Sequence, residues 1–167
     1  MPMRITETLH YDAPPEVVFE MLCDPAYQER KCVEAGALRH TVSVTRQGAG
    51  TRIVAARELP TEHLPDFARS LVGTQLRTTE TWDWDAPAED GSRSGELRVD
   101  VSGAPVTFRG RTRLEPSTHS TALVVDGDLK ASVPLVGGRV EKAAAPAVLD
   151  ALRSEGRTGQ RWIAERR

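Results

Sequence analysis

The stretch covering residues 133–167 constrains the fold most, because it carries the longest helical pattern in the chain. Its apolar residues recur at steps of three and four and form one stripe, whereas most of its charged residues lie elsewhere on the helix. A helix of about 25 residues would extend about 38 Å. Such a helix needs a broad apolar partner, and the preceding sequence is rich in strand patterns. We therefore expect a long amphipathic helix lying across a sheet.

Glycines occur at both ends of this helical pattern. Gly137 and Gly138 precede it, and we expect one of the two to need a backbone conformation that is costly for other residues. Gly156 and Gly159 lie in its last third, where the low helix propensity of glycine predicts a weakened helix.

Alternating apolar and polar residues before the long helix predict about seven strands with short connections, most simply an antiparallel sheet. The predicted strands are residues 3–11, 38–46, 51–59, 75–85, 95–102, 106–115 and 121–133. Two short helices follow the first strand, since Asp12 and Asp24 each precede proline and can cap a helix start. Residues 60–73 contain two prolines and predict a loop with a helical turn.

Composition indicates an ordinary globular chain and excludes several classes of protein. With 167 residues, 39% of them hydrophobic and 28% charged, we expect residues 1–167 to form one domain. A net charge of -2 argues against a general nucleic-acid binder. We find no signal-peptide pattern and no apolar run of roughly 18 residues that would give an integral membrane segment. Cys23 and Cys32 are too few for a disulfide framework, which favours the cytoplasm. Composition leaves open a monomer or a weak dimer.

The order of these elements resembles the α+β helix-grip fold of the START-like (SRPBCC, Bet v 1-like) superfamily, which includes plant Bet v 1 allergens and polyketide cyclases. The residues that carry the resemblance are YDAPPEVVFEMLCDPAY at 11–27, PTEHLPDFARSLVG at 60–73, VPLVGGRVE at 133–141 and RWIAE at 161–165. Together they are similar to a mainly bacterial branch of unknown function. The resemblance implies a curved antiparallel sheet whose concave face is crossed by the long C-terminal helix.

Motifs for metal or cofactor chemistry are not evident in the sequence. The four histidines, His10, His40, His63 and His119, lack the paired spacing of a metal site. We find neither a Gly-x-Ser-x-Gly elbow nor a phosphate-binding loop. We therefore expect no metal ion, no cofactor and no recognisable catalytic cluster.

Three ionisable residues share strand faces with apolar residues and are candidates to line a cavity. They are Glu7, His40 and Glu80. A carboxylate facing an apolar cavity usually has its pKa raised by desolvation, which suits a general acid or base. The alternative is that each lies at a solvated strand end. Trp82 and Trp84 share the face of Glu80 and are interpreted as core residues or as apolar ligand walls.

Small side chains on the long helix also point to a cavity. Alanines cluster between Ala143 and Ala147, and small residues leave space beneath a helix unless large residues opposite fill it. We expect Ala144, Ala147 and Val148 to line this space. The alternative is that the alanines permit close packing of the helix.

Three functions are compatible with these patterns. The resemblance implies non-enzymatic binding or transport of a hydrophobic or amphipathic, lipid-like small molecule, and the lack of a catalytic cluster favours it. The second is an enzyme of the cyclase or dehydratase type, in which Glu80, His40 or Glu7 transfers protons. The third is a protein-interaction module that uses the outer sheet face.

Overall fold

Strands and helices follow one another in the order expected from the sequence. The computed structural model describes residues 2–62 and 64–167. The strands are β1 (Met3–Tyr11), β2 (Arg39–Gln47), β3 (Gly50–Pro60), β4 (Gln75–Trp84), β5 (Arg93–Val101), β6 (Val106–Pro116) and β7 (Thr121–Ala131). The helices are α1 (Pro15–Leu22), α2 (Pro25–Glu34), α3 (Asp66–Val72) and α4 (Gly137–Glu165).

All seven strands belong to one antiparallel sheet in the order β1-β7-β6-β5-β4-β3-β2. β2 to β7 lie side by side in chain order, with α3 in the connection between β3 and β4, and β1 pairs with β7 at the far edge. The helices α1 and α2 fill the connection between β1 and β2, and α4 packs mainly on β1 and β7. The predicted α+β helix-grip architecture is therefore confirmed.

Period-two alternation explains which face of the sheet is covered. In β7, Leu123, Val125 and Leu129 are buried, whereas their neighbours Val124 and Asp128 are more exposed. A strand with this pattern gains stability only when its apolar face is covered. The helix α4 provides that cover over β1 and β7.

The last third of α4 is a continuous helix although it contains Gly156 and Gly159, whose low helix propensity was expected to weaken it. Both glycines lie against β1. A Cβ at Gly156 would meet Leu9 Cδ2 at 3.2 Å, and one at Gly159 would overlap the ring of Tyr11. The glycines thus allow the helix to approach the strand closely, and burial against the sheet outweighs their low helix propensity.

The reason for glycine at the start of α4 differs from the one predicted, which was an unusual backbone conformation. Neither Gly137 nor Gly138 has a positive φ, and the left-handed residue of this turn is Leu135, with a φ of 70°. Gly137 is instead required for space, since a Cβ there would lie 2.6 Å from the carbonyl oxygen of Ala131. Nearby, the backbone N–H of Ala131 donates to Glu141 Oε2 at 2.9 Å, which joins the first turns of α4 to the end of β7.

We predict that Gly137→Ala and Gly138→Ala have opposite effects on stability. The first places a methyl group against the Ala131 carbonyl and should lower the free energy of unfolding by about 1–3 kcal/mol. The second meets no atom within 4 Å and should raise it by up to about 1 kcal/mol through helix propensity. Urea denaturation of both variants measures the difference. Equal effects at the two positions would contradict the steric explanation.

Candidate functional site

A cavity of about 200 Å³ lies between the inner face of the sheet and α4. Strands β3 to β7 form its floor, α4 covers it, and α2 and α3 contribute to its sides. Most of its lining side chains are apolar. They include Leu59, Leu64, Ala68, Leu71, Val72, Leu76, Trp82, Leu97, Val99, Val101, Val106, Phe108, Leu129, Val140, Ala143, Ala144, Ala147, Val148, Ala151 and Leu152.

The cavity exists because the helix that covers it carries small side chains there. Ala143, Ala144, Ala147 and Ala151 face the cavity from α4 and reach only a short way toward the sheet. Since α4 packs mainly on β1 and β7, it does not pack closely on the inner faces of β3 to β6. The space between them stays open.

Four buried charged side chains come together in the wall of this mainly apolar cavity, one from each of α2, β3, β4 and α4. Lys31 Nζ donates to Glu80 Oε1 at 2.8 Å and to Glu155 Oε1 at 3.1 Å. Arg57 Nη2 donates to Glu80 Oε2 at 2.5 Å, and Trp82 Nε1 donates to Glu80 Oε1. We call Lys31, Arg57, Glu80 and Glu155 the buried ion cluster.

Mutual neutralisation is what allows the buried ion cluster to exist. No member exposes more than 9% of its surface, and an unpaired charge at such a depth costs several kcal/mol or more. Two cations and two carboxylates give a formal charge of zero. Each of the four charges can therefore be buried only because the other three members neutralise it.

Glu80 is the most strongly held acid of the cluster. Burial by itself would raise its pKa, but the charges of Lys31 and Arg57 and the hydrogen bonds from Lys31 and Trp82 lower it to about 2. Glu80 is therefore ionised at neutral pH, and both of its carboxylate oxygens accept hydrogen bonds.

Glu155 differs from Glu80 although both contact Lys31. Burial raises the pKa of Glu155, and the negative charge of Glu80 adds to this increase, while Lys31 opposes it. Burial lowers the pKa of Lys31, but Glu155 and Glu80 together outweigh this and raise it. Lys31 is thus a firmly protonated cation, and Glu155 is the weaker of the two acids.

Five of the side chains that the sequence suggested for a cavity lie together in its lining. Glu80 and Trp82 are on β4, and Ala144, Ala147 and Val148 are on α4. Glu80 and Trp82 point to the same side because they are two residues apart in a strand.

Glu7, His40 and Trp84 lie away from the cavity lining. Glu7 is on β1, close under α4, and accepts from Arg153 Nε at 3.2 Å. His40 is on β2, which forms an edge of the sheet. Trp84 is buried with its ring centroid 6.1 Å from that of Trp82, and it lies edge-on to Phe19 of α1. His63 lies outside the described residues.

Sequence reasoning missed three members of the buried ion cluster. Arg57 shares its strand face with Ile53 and Ala55, and Glu155 lies three residues after Leu152 on the apolar stripe of α4. The period-two pattern around Arg57 and the helical pattern around Glu155 are both present in the sequence and could have predicted that the two side chains are buried. Lys31 gave no such signal, because α2 is a polar helix in sequence.

Metal coordination is not suggested by the geometry. Among residues 2–62 and 64–167, no group of three or more His, Cys, Asp or Glu side chains could hold a metal ion. In the same part of the chain, no helix combines the length and apolar character needed to cross a membrane.

We predict that Lys31→Met destabilises the protein strongly, by about 3–5 kcal/mol, because it leaves the carboxylates of Glu80 and Glu155 buried without their shared cation. The control is Arg153→Met, which removes the half-exposed ion pair with Glu7 and should cost less than about 1 kcal/mol. Chemical denaturation at pH 7 measures both. Similar losses in the two variants would contradict the importance of the buried cluster.

We predict that Glu155→Gln alters the pH dependence of stability. An acid with a raised pKa binds its proton more tightly in the folded protein, so its contribution to stability falls as the pH rises above its ordinary pKa of 4.5 and levels off above its folded-state pKa. The unfolding free energy of the wild type should therefore decrease relative to that of Glu155→Gln over this range. Denaturation of both proteins between pH 4 and 8 checks the sign. If the unfolding free energy of the wild type stays constant or increases relative to that of Glu155→Gln as the pH rises, the pKa of Glu155 is not raised.

Comparison with solved structures shows the fold. The chain aligns with an aromatase/cyclase (Zhui) from Streptomyces sp. R1128 at a TM-score of 0.68 and 16% identity, covering 99% of this chain and 96% of that one. Human STARD10 aligns at a TM-score of 0.60 and 10% identity, with 96% and 64% coverage. A START superfamily protein from Mycobacterium smegmatis aligns at 0.53 and 17% identity, with 94% and 97% coverage. The chain thus has the START-like, Bet v 1-like fold that its sequence resembles.

Sequence comparison gives the family. No curated protein matches the chain. The sequence profile of the family described as "Protein of unknown function (DUF2505)" matches residues 6–163, which is nearly the whole chain. The protein therefore belongs to the DUF2505 family and has the helix-grip fold of the START-like superfamily.

Proposed function

We propose that this protein binds a hydrophobic or amphipathic small molecule in the cavity between the sheet and α4, as a carrier or binding protein and not as an enzyme. The observation that carries this proposal is the cavity of about 200 Å³ with apolar walls and one charged cluster. Apolar ligands gain free energy when their surface leaves water, at about 25 cal/mol per Å². An apolar space lined in this way is a site for such a ligand.

The state of the charged groups supports binding over catalysis. Glu80 is ionised and its oxygens are occupied by Lys31, Arg57 and Trp82, so it has little capacity to transfer a proton at neutral pH. The raised pKa of Lys31 makes its amine a poor nucleophile. Glu80 and Lys31 are therefore suited to giving one part of the cavity wall a fixed shape and a polar surface.

Acid–base catalysis is a second candidate, because Glu155 lines the cavity and has a raised pKa. An aromatase/cyclase is among the solved structures that share this fold. The test starts from a ligand that co-purifies with the protein. Incubation of that ligand with fresh protein should leave its mass and chromatographic retention unchanged if the protein only binds it. Conversion by the wild type and not by Glu155→Gln would favour the enzyme.

Native mass spectrometry of freshly purified protein tests the binding proposal directly. We expect a mass excess that is lost on denaturation and belongs to an apolar small molecule. Titration of delipidated protein with the neutral fluorescent probe N-phenyl-1-naphthylamine gives the complementary measurement, with saturable binding expected. A protein that retains nothing and does not bind the probe would contradict the proposal.

We predict that Ala144→Trp blocks the cavity, whereas Ala145→Trp does not. Ala144 lines the cavity, so its replacement should reduce affinity for the probe at least about tenfold with a stability change below about 1 kcal/mol, because it fills open space. The neighbouring Ala145 is buried elsewhere in the core, and overpacking there should cost about 1–3 kcal/mol without blocking the probe. Thermal melting and probe titration of both variants measure this. If Ala144→Trp is as destabilising as Ala145→Trp, the space beneath Ala144 is already filled by packed side chains and no open cavity lies there.

A further inference from the structure

One carboxylate oxygen of the buried ion cluster has no hydrogen-bond donor. Glu155 lies on α4, is 4% exposed and lines the cavity. Its Oε1 accepts from Lys31 Nζ at 3.1 Å, whereas no group within residues 2–62 and 64–167 donates to its Oε2. Glu80 differs, since both of its carboxylate oxygens accept hydrogen bonds.

Glu155 Oε2 also meets open space. In the part of the chain that the structure describes, the polar side-chain atoms that are both fully enclosed and without a partner include Arg57 Nε and Thr78 Oγ1, but no atom of Glu155. Glu155 Oε2 has no partner and is not fully enclosed, so it keeps a surface that a ligand atom can approach. Because Glu155 is buried from solvent and lines the cavity, that surface faces the cavity.

A donor at Oε2 would correct an imbalance between the two acids of the cluster. A carboxylate is stabilised in its ionised form by each hydrogen bond that it accepts, and Glu155 accepts fewer than Glu80. Burial accordingly raises the pKa of Glu155. For Glu80 the effect of burial is outweighed by Lys31 and Arg57, and its pKa falls to about 2. A further donor that reaches Oε2 would therefore stabilise the ionised form of Glu155.

The charge balance of the cluster favours an uncharged donor. Lys31 and Arg57 already neutralise Glu80 and Glu155. A ligand ammonium group would add a third cation, and an uncompensated buried charge is strongly unfavourable. A ligand carboxylate would add a third anion and has no proton to donate. A hydroxyl group can donate one hydrogen bond without adding charge.

The cavity lining extends along α4, and the free oxygen lies at one end of it. The lining residues of α4 run from Val140 to Glu155, a rise of about 22 Å at 1.5 Å per residue. Lys31 borders the Glu155 end. Around Val140 the lining includes Val106, the cross-strand partner of Ala131 under the first turns of α4. A molecule with one polar end and a hydrocarbon remainder matches this distribution.

We propose that the ligand carries an uncharged hydroxyl group that donates a hydrogen bond to Glu155 Oε2, while its hydrocarbon part extends along α4 toward Val140. The ligand class is therefore that of hydrophobic alcohols and phenols. This inference rests on the proposed function, because it names the polar group and the orientation of the molecule that the cavity binds.

Two isomers test whether the ligand needs a hydroxyl group. 1-Decanol and 1-methoxynonane contain the same atoms, but only the alcohol has an O–H to donate. Delipidated protein is loaded with N-phenyl-1-naphthylamine at pH 7.5, and the probe is displaced with each isomer. Because a hydroxyl without an acceptor is costly to remove from water, a purely apolar wall would favour the ether. We expect 1-decanol to bind at least about fivefold more tightly. Equal binding, or tighter binding of the ether, would overturn the proposal.

Charged analogues test whether the polar group is neutral. At the same pH decylamine is a cation and decanoate is an anion. We expect each to displace the probe at least about tenfold less well than 1-decanol, since each adds an uncompensated charge to the cluster. Binding of either analogue as tight as that of 1-decanol contradicts an uncharged donor.

Matched variants test the position of the acceptor. Glu155→Gln replaces the carboxylate with an amide, whose oxygen is a weaker acceptor, so the preference for 1-decanol over 1-methoxynonane should fall at least about threefold. This ratio is measured within one protein, so a change in probe affinity cancels. Glu7→Gln makes the same change at an acid that contacts α4 away from the cavity, and Ser154→Ala removes the hydroxyl of a neighbouring lining residue. Both controls should keep the wild-type preference.

The outcomes separate the inference from the function on which it rests. If the probe binds but the preference for 1-decanol persists in Glu155→Gln, the inference is wrong and the proposed function stands. If either control loses the preference as fully as Glu155→Gln, Glu155 is not the specific acceptor and the inference is again wrong. If Glu155→Gln binds no probe, the isomer comparison in the wild type decides. If the wild type binds neither the probe nor 1-decanol, the proposed function fails and the inference fails with it.

Discussion

The close approach of α4 to β1 is the contact on which the cavity and its charged wall both depend. Gly156 and Gly159 lie directly against Leu9 and Tyr11, where a Cβ would collide or press on the strand. This contact fixes the distance and the rotation of the helix relative to the sheet. Glu155, the residue before the first of these glycines, is thereby directed toward Lys31 and the cavity.

One helix thus carries two kinds of small residue with different consequences. Glycine in its C-terminal half removes the Cβ and lets the backbone approach a large partner, whereas alanine in its N-terminal half faces strands that it does not reach. Ala144 and Ala147 consequently cover the open cavity, whereas Gly156 and Gly159 pack directly against β1 and leave no space there. The sheet order explains the difference, since β1 and β7 lie at one edge under the helix and β3 to β6 extend away from it.

The buried ion cluster joins four elements, α2, β3, β4 and α4, and burying charges is a costly way to join them. Replacing buried ion pairs with well-packed apolar residues is often neutral or stabilising, so stability alone does not account for the cluster. All four of its members line the cavity in which we propose that a ligand binds. Glu80 accepts hydrogen bonds on both of its carboxylate oxygens, one from Lys31 and one from Arg57. The cluster therefore holds Arg57 in place in the cavity wall.

Local patterns determined the elements of this fold. Period-two alternation placed the seven strands to within about two residues, and the three- and four-residue steps placed α4, because both reflect which face of a segment must leave water. The same patterns put Glu80, Trp82 and Ala144 on inward faces, where the structure has them. The resemblance of the motifs to a known superfamily supplied the topology that periodicity does not fix.

Only the tertiary structure decided which charges meet and where open space remains. Lys31 and Glu155 are separated by 124 positions in the sequence, and the α2 pattern gave no sign that Lys31 is buried. Glu7 and His40 satisfied the same inward-face criterion as Glu80, yet they lie away from the cavity because β1 is covered by α4 and β2 is a sheet edge. Sequence periodicity indicates which face of a strand or helix a side chain occupies, but it does not give the distance from that face to the element packed opposite. That distance is set here by glycine contacts between α4 and β1, which no local pattern encodes.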